Sequence, residues 1–206
     1  MQKIAFILVF SILAGCGGRY GRNLPEDRGD YVTWVEANAL ANRIGPEIKR
    51  LDPLVGDWNY SETLVPWPGA TPETSRGMIS FTREYGGRWL VAQIMEDENP
   101  DEATATMLLG YSIPQRRYLT AEFGDFSTAA LVGEGVEVPS RGGIFAIEFE
   151  LSMPDPVQNE RRILVKRRME FQGNGNILIL DQRSGWNGTL IPFSTWLLTR
   201  NNAPAS

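Results

Sequence analysis

In the run Ile144-Phe145-Ala146-Ile147-Glu148-Phe149-Glu150-Leu151, Phe145, Ile147, Phe149 and Leu151 fall on one face and Glu148 and Glu150 on the other. A period of two belongs to a β-strand with one dry side and one wet side. A helix would scatter the same side chains around its circumference. The pattern extends in both directions. Strands are predicted near 55–65, 76–85, 88–97, 104–113, 116–123, 127–138, 143–152, 160–171, 176–184 and 193–200. Their connections are hairpin-like: Gly86-Gly87, Pro114-Gln115, Ser140 to Gly142 and Asn174-Gly175.

No helical pattern separates these strands, so an all-β fold follows. An antiparallel up-and-down meander of about ten strands, closed into a calycin-like barrel, leaves no exposed edge. A β-sandwich is the competing architecture. Ahead of the strands, Tyr31, Val35 and Ala39, with Val32, Leu40 and Ile44 alongside, have amphipathic helical spacing, and Asp30 stands as N-cap. A short N-terminal helical region is therefore expected within 31–50, with Pro46 and Pro53 as breaks. The barrel is expected over 51–200, and residues 201–206 as a disordered tail.

The first strand opens Leu51-Asp52-Pro53-Leu54-Val55-Gly56-Asp57-Trp58, and the last ends Trp196-Leu197-Leu198-Thr199-Arg200. A Gly-x-Trp triplet just after a short helix, paired with an arginine on the final strand, resembles lipocalins and other calycin-type barrels. The resemblance implies that Arg200 stacks on Trp58 beside Gly56 and closes the barrel end. Indole faces and guanidinium groups attract each other, and the arginine has donors left for nearby carbonyls. Arg83-Glu84-Tyr85-Gly86-Gly87-Arg88-Trp89-Leu90, Leu109-Gly110-Tyr111 and Arg117-Tyr118 are similar to a narrower bacterial group, domain-of-unknown-function family fifteen-seventy-nine, related to lipocalins and nitrobindins. That likeness spans roughly 47–200 and implies a fold more firmly than an activity. Nitrobindin-like barrels hold haem through a histidine, which this chain lacks, so that activity is not carried over.

The N-terminus supplies an address. Lys3 precedes an apolar run from Ile4 to Leu13, and Leu13-Ala14-Gly15-Cys16 resembles a bacterial lipobox. A signal peptide over 1–15, lipidation (palmitate among the acyl groups) of Cys16 and a flexible tether over 16–30 are expected. The apolar run is too short to span a bilayer comfortably, which needs roughly 20 residues. Gly17, where an aspartate would resemble an inner-membrane retention signal, favours the outer membrane, with the domain facing the periplasm.

The chain has 20 Lys and Arg against 25 Asp and Glu, a net charge of −5, which argues against nucleic acid as a partner. With no histidine, His-ligated haem, His-based zinc and Ser-His-Asp or Cys-His catalysis are excluded. No Gly-x-Ser-x-Gly, phosphate loop or metal-ligand spacing appears, so neither a cofactor nor an enzymatic activity is expected.

Two charged stretches remain. Glu96-Asp97-Glu98-Asn99-Pro100-Asp101-Glu102 reads as a solvated hairpin tip, with a weak calcium site as the sharper alternative. In Arg161 to Arg168, alternation turns Arg162, Lys166 and Arg168 outward with Glu170, a solvated surface with lipid head groups or lipopolysaccharide phosphates as the alternative partners, and places Arg167 on the apolar face between Val165 and Met169. A buried arginine is costly unless paired. Arg167 is expected either to meet an interior carboxylate, with Glu62 a candidate, or to await an anionic ligand. Tyr60, Arg83, Tyr85, Trp89, Tyr111, Tyr118 and Arg167 form the candidate ligand-binding set. The expected function is binding of a small apolar or amphipathic molecule. An envelope scaffold with a filled barrel and a cofactor-free enzyme are the alternatives.

Overall fold

The computed structural model describes residues 33, 35–37, 39, 43–98, 100–125, 127–154, 162–185 and 187–201. The chain divides into two compact units, Met1–Arg43 and Ile44–Ser206. In the first, Thr33, Val35, Glu36, Ala37 and Ala39 are helical, within the helix expected there. The signal peptide, Cys16 and the tether lie outside the described residues. The helical reading of 31–50 is corrected at its end. Arg43 to Gly45 are not helical, and a separate short helix, α1 (Pro46–Lys49), starts at Pro46, whose fixed φ and missing N–H suit a first helical position.

The second unit carries β1 (Gly56–Leu64), β2 (Glu73–Glu84), β3 (Trp89–Glu96), β4 (Ala105–Ser112), β5 (Arg117–Gly124), β6 (Ser127–Val138), β7 (Gly143–Pro154), β8 (Arg162–Gln172), β9 (Ile177–Ser184) and β10 (Leu190–Arg200). Each strand pairs antiparallel with its sequence neighbours, and β1 pairs with β10, closing the barrel. A sandwich is thereby ruled out. Pro192, which lacks an N–H, adjoins a register shift at Pro192/Ser194, so β10 begins earlier than its apolar pattern suggests.

Alternation fills the barrel. Trp58 and Tyr60, Ile79 and Phe81, Leu90, Ala92 and Ile94, Ile147, Phe149 and Leu151, and Ile177 and Ile179 are all buried in one cluster. Phe145 stacks on Phe171 with centroids 4.1 Å apart, continuing that face of β7 onto β8. The expectation that Arg168 and Glu170 are solvated on the outer face is corrected. Both are buried beneath the β6–β7 connection. Arg168 Nε bonds Glu170 at 3.1 Å and its Nη2 donates to the Pro139 carbonyl at 2.6 Å. Ser140 Oγ and the Arg141 N–H each donate to Glu170 at 3.0 Å. Burial alone would raise the Glu170 carboxyl; the bonds from Arg168, Ser140 and Arg141 outweigh it and hold it below the usual range. Asn201 is ordered, its N–H donating to Asp57 O at 3.0 Å; residues 202–206 of the expected tail lie outside the described residues.

Candidate functional site

One end of the barrel is capped by α1 and the turn Asp52–Leu54. Arg200 lies over the Trp58 ring at 4.1 Å and donates to the carbonyls of Val55 at 2.6 Å and Pro53 at 2.5 Å. Trp58 Nε1 donates to Leu54 O at 2.6 Å. Gly56 is at φ 113, and a Cβ there would come within 2.8 Å of Arg200 Nη1, so the triplet needs its glycine for both reasons. Arg83 binds the same cap, paired with Asp52 and donating to Gly87 O at 2.9 Å and Ile48 O at 3.0 Å. Tyr118 donates to Glu47 O at 3.3 Å and meets Tyr111 edge-on at 5.0 Å. Burial, then the field of Glu137, pushes the Tyr118 hydroxyl up to about 12. These groups hold the cap down.

The opposite end is different. There β1 ends, β2 begins, and the acidic stretch from Glu96 forms the β3–β4 connection. Several inward side chains are only part-buried: Glu62, Ser75, Leu131, Ile163, Arg183 and Trp196. Glu62 accepts from Ser194 Oγ at 2.7 Å and Ser75 Oγ at 3.2 Å. Burial raises its carboxyl above the usual range, with the two serines opposing and Asp181 adding to the rise. Trp196 is the cross-strand partner of Glu62, and its ring lies 5.0 Å from Tyr60. Burial, then Glu96 and Glu62, push the Tyr60 hydroxyl up to about 12, keeping it neutral.

Below this mouth sits Arg167, 5% exposed. Its Nε and Nη2 donate to Asp181 at 2.9 and 2.7 Å, and Nη1 donates to Glu122 at 2.5 Å. Burial works against its charge; Asp181, then Glu122, outweigh that and raise its pKa. The expected Glu62 pairing is thus replaced by two carboxylates. Thr120 Oγ1, one inward position from Glu122, and Trp196 Nε1 are both buried without a hydrogen-bond partner among the described residues. No three His, Cys, Asp or Glu side chains among the described residues converge as a metal would require.

The seven candidate ligand residues therefore separate. Tyr60 and Arg167 face the barrel interior in the half away from the cap, and both are buried. Arg83, Tyr111 and Tyr118 belong to the capped end. Tyr85 is 43% exposed in the β2–β3 turn. Trp89 sits on the outer face, where a Cβ on Gly110 would come within 2.7 Å of its ring. Sequence reasoning missed Glu122, Asp181, Ser75, Ser194 and Thr120 as lumen groups. Simple alternation along β5 and β9 would have found Glu122 and Asp181, since each follows a buried residue two positions earlier. At the capped end, Glu137, Val138, Pro139, Ser140, Ile144 and Phe145 line a groove of about 410 Å³; its acid, Glu137, pairs with Arg50, whose guanidinium lies over the Phe145 ring at 5.9 Å.

Capped at one end and polar at the other, the molecule is a closed ten-stranded antiparallel barrel of the calycin type. It belongs to the family described as Protein of unknown function (DUF1579), which it matches over residues 44–200. Its fold is also similar to that in the crystal structure of Rv2717c from M. tuberculosis, with a TM-score of 0.52 and 16% identity, covering 78% of this chain and 100% of that one. No curated protein matches the chain.

Proposed function

We propose that this chain is a lipid-anchored protein of the bacterial envelope, facing the periplasm, whose barrel receives a small amphipathic molecule through the uncapped end. The observation that carries the reading is the set of inward, part-buried groups there. Polar side chains at Glu62 and Ser75 stand beside apolar ones at Leu131, Ile163 and Trp196, with the Trp196 N–H unpartnered. Ligand sites combine apolar walls with a few convergent polar groups in this way. Arg167 closes the floor of such a site. Export and attachment rest on the lipobox ending at Cys16. Several acyl chains make such an anchor stable, where one alone binds only marginally.

The test is native mass spectrometry of the purified full chain against a panel of small lipophiles, alongside a haemin titration. Stoichiometric uptake of a lipophile, with no Soret shift from haemin, is expected. A barrel that takes up none of the panel contradicts the reading, and a tight stoichiometric Soret shift refutes the exclusion of haem. The second reading, an envelope scaffold, is favoured by Ile144, 74% exposed beside the groove at the capped end.

A further inference from the structure

We infer that the uncapped end of the lumen selects a positively charged head group, so that the ligand is a cationic amphiphile and not a fatty acid. The inference rests on the reading of the lumen as a ligand site and names the ligand class that site takes. The described arginines that face the interior are all engaged. Arg167 is bound on all sides by Asp181 and Glu122, and Arg83 lies at the capped end on Asp52 and two carbonyls. Arg183, at the mouth, donates to Pro66 O and lies over the Phe193 ring at 4.6 Å.

The acids are in excess. Glu62, Glu122 and Asp181 face the lumen against Arg167 and Arg183, so one acid remains in excess there. Around the rim, Gly77 pairs with both Tyr60 and Glu96, which brings the exposed acids Glu96, Asp97, Glu98, Asp101 and Glu102 to the same end. Among the described residues Glu62 bonds two serine hydroxyls and no cation, with Arg167 acting on it only at a distance, so it is the carboxylate a ligand cation would complete. Beside it, the Tyr60–Trp196 pair offers aromatic faces, which attract cations. A carboxylate head would enter against this field; an ammonium would enter with it.

Octylammonium, octanol and octanoate share one chain and differ in head group, so calorimetric titration of the full chain with each isolates the effect. Octylammonium is expected to bind at least about tenfold more tightly than octanol, equal to about 1.4 kcal/mol, and octanoate more weakly still. Glu62→Gln should erase that preference and Glu62→Asp keep it. Octanol or octanoate binding as tightly as octylammonium to the wild type overturns the inference while leaving a binding barrel. Saturable binding of none of the three overturns the binding reading itself. The wild-type order decides even if Glu62→Gln does not fold.

Discussion

Arg167 on β8 reaches Glu122 on β5, 2.5 Å away, while its other nitrogens grip Asp181 on the adjacent β9. The bond to Asp181 joins neighbours in the sheet, whereas the bond to Glu122 crosses the lumen between strands that are not paired. One side chain thereby spans the barrel interior in the half away from the cap, with Met169 and Phe149 buried in the core beside it.

Removing that cation leaves two carboxylates buried without a counter-charge. Arg167→Met should cost about 3–5 kcal/mol, because breaking a buried pair costs more than the pair contributes. The denaturant midpoint reads this directly, and adding Asp181→Asn should recover part of the loss. A midpoint unchanged by Arg167→Met would show that the charges are solvated through the mouth.

The capped end gives a separate test. Arg200→Ala loses the stack on Trp58 and two carbonyl bonds, and should destabilise the barrel by about 1–3 kcal/mol. Trp fluorescence should change with it. A wild-type midpoint would mean that the cap holds without this contact.

Glu62 makes stability depend on pH with a definite sign. Burial raises its carboxyl in the folded chain, so the folded state binds the proton more tightly than the unfolded one. Its contribution is therefore most favourable at low pH and declines as pH rises from the ordinary carboxylate range through the raised folded value. Glu170, held low, acts in the opposite direction, its contribution being lost as pH falls through its folded value. Comparing Glu62→Gln with wild type isolates the first effect. The variant should gain relative stability as pH rises above the ordinary carboxylate range, and a difference independent of pH would contradict the assignment.

Attachment is tested at Cys16. Cys16→Ala should abolish labelling by a fatty-acid probe and block signal-peptide processing at this site. Undiminished label on the variant would remove the lipoprotein reading.

The sequence carried the barrel well and the lumen poorly, for a physical reason. Alternation in stretches such as Phe145 to Leu151 depends only on local burial, so all ten strands could be placed from it. Trp58 and Arg200 were readable because a family likeness ties two distant positions. The partner of Arg167 was not, since pairing across a lumen depends on barrel size and stagger, which no local pattern encodes. The same holds for Arg168 and Glu170. They alternate outward as a solvated pair would, and only the path of the β6–β7 connection buries them. Arg83 read as a ligand contact because its strand position points inward; the cap that engages it comes from Ile48 and Asp52, more than one turn of chain away from any strand.

The Trp196 indole N–H gives the sharpest readout of ligand entry, because it lies buried in the half of the barrel away from the cap without an acceptor among the described residues. Its nuclear magnetic resonance signal, assigned through Trp196→Phe, can be followed while the full chain is titrated with whichever octyl probe binds most tightly. The account predicts a saturable shift of this signal, with the Trp58 indole, which donates to Leu54 O at 2.6 Å under the cap, left in place. A Trp196 signal that stays fixed at saturating probe, or one that moves only together with Trp58, would contradict a ligand site at the uncapped end.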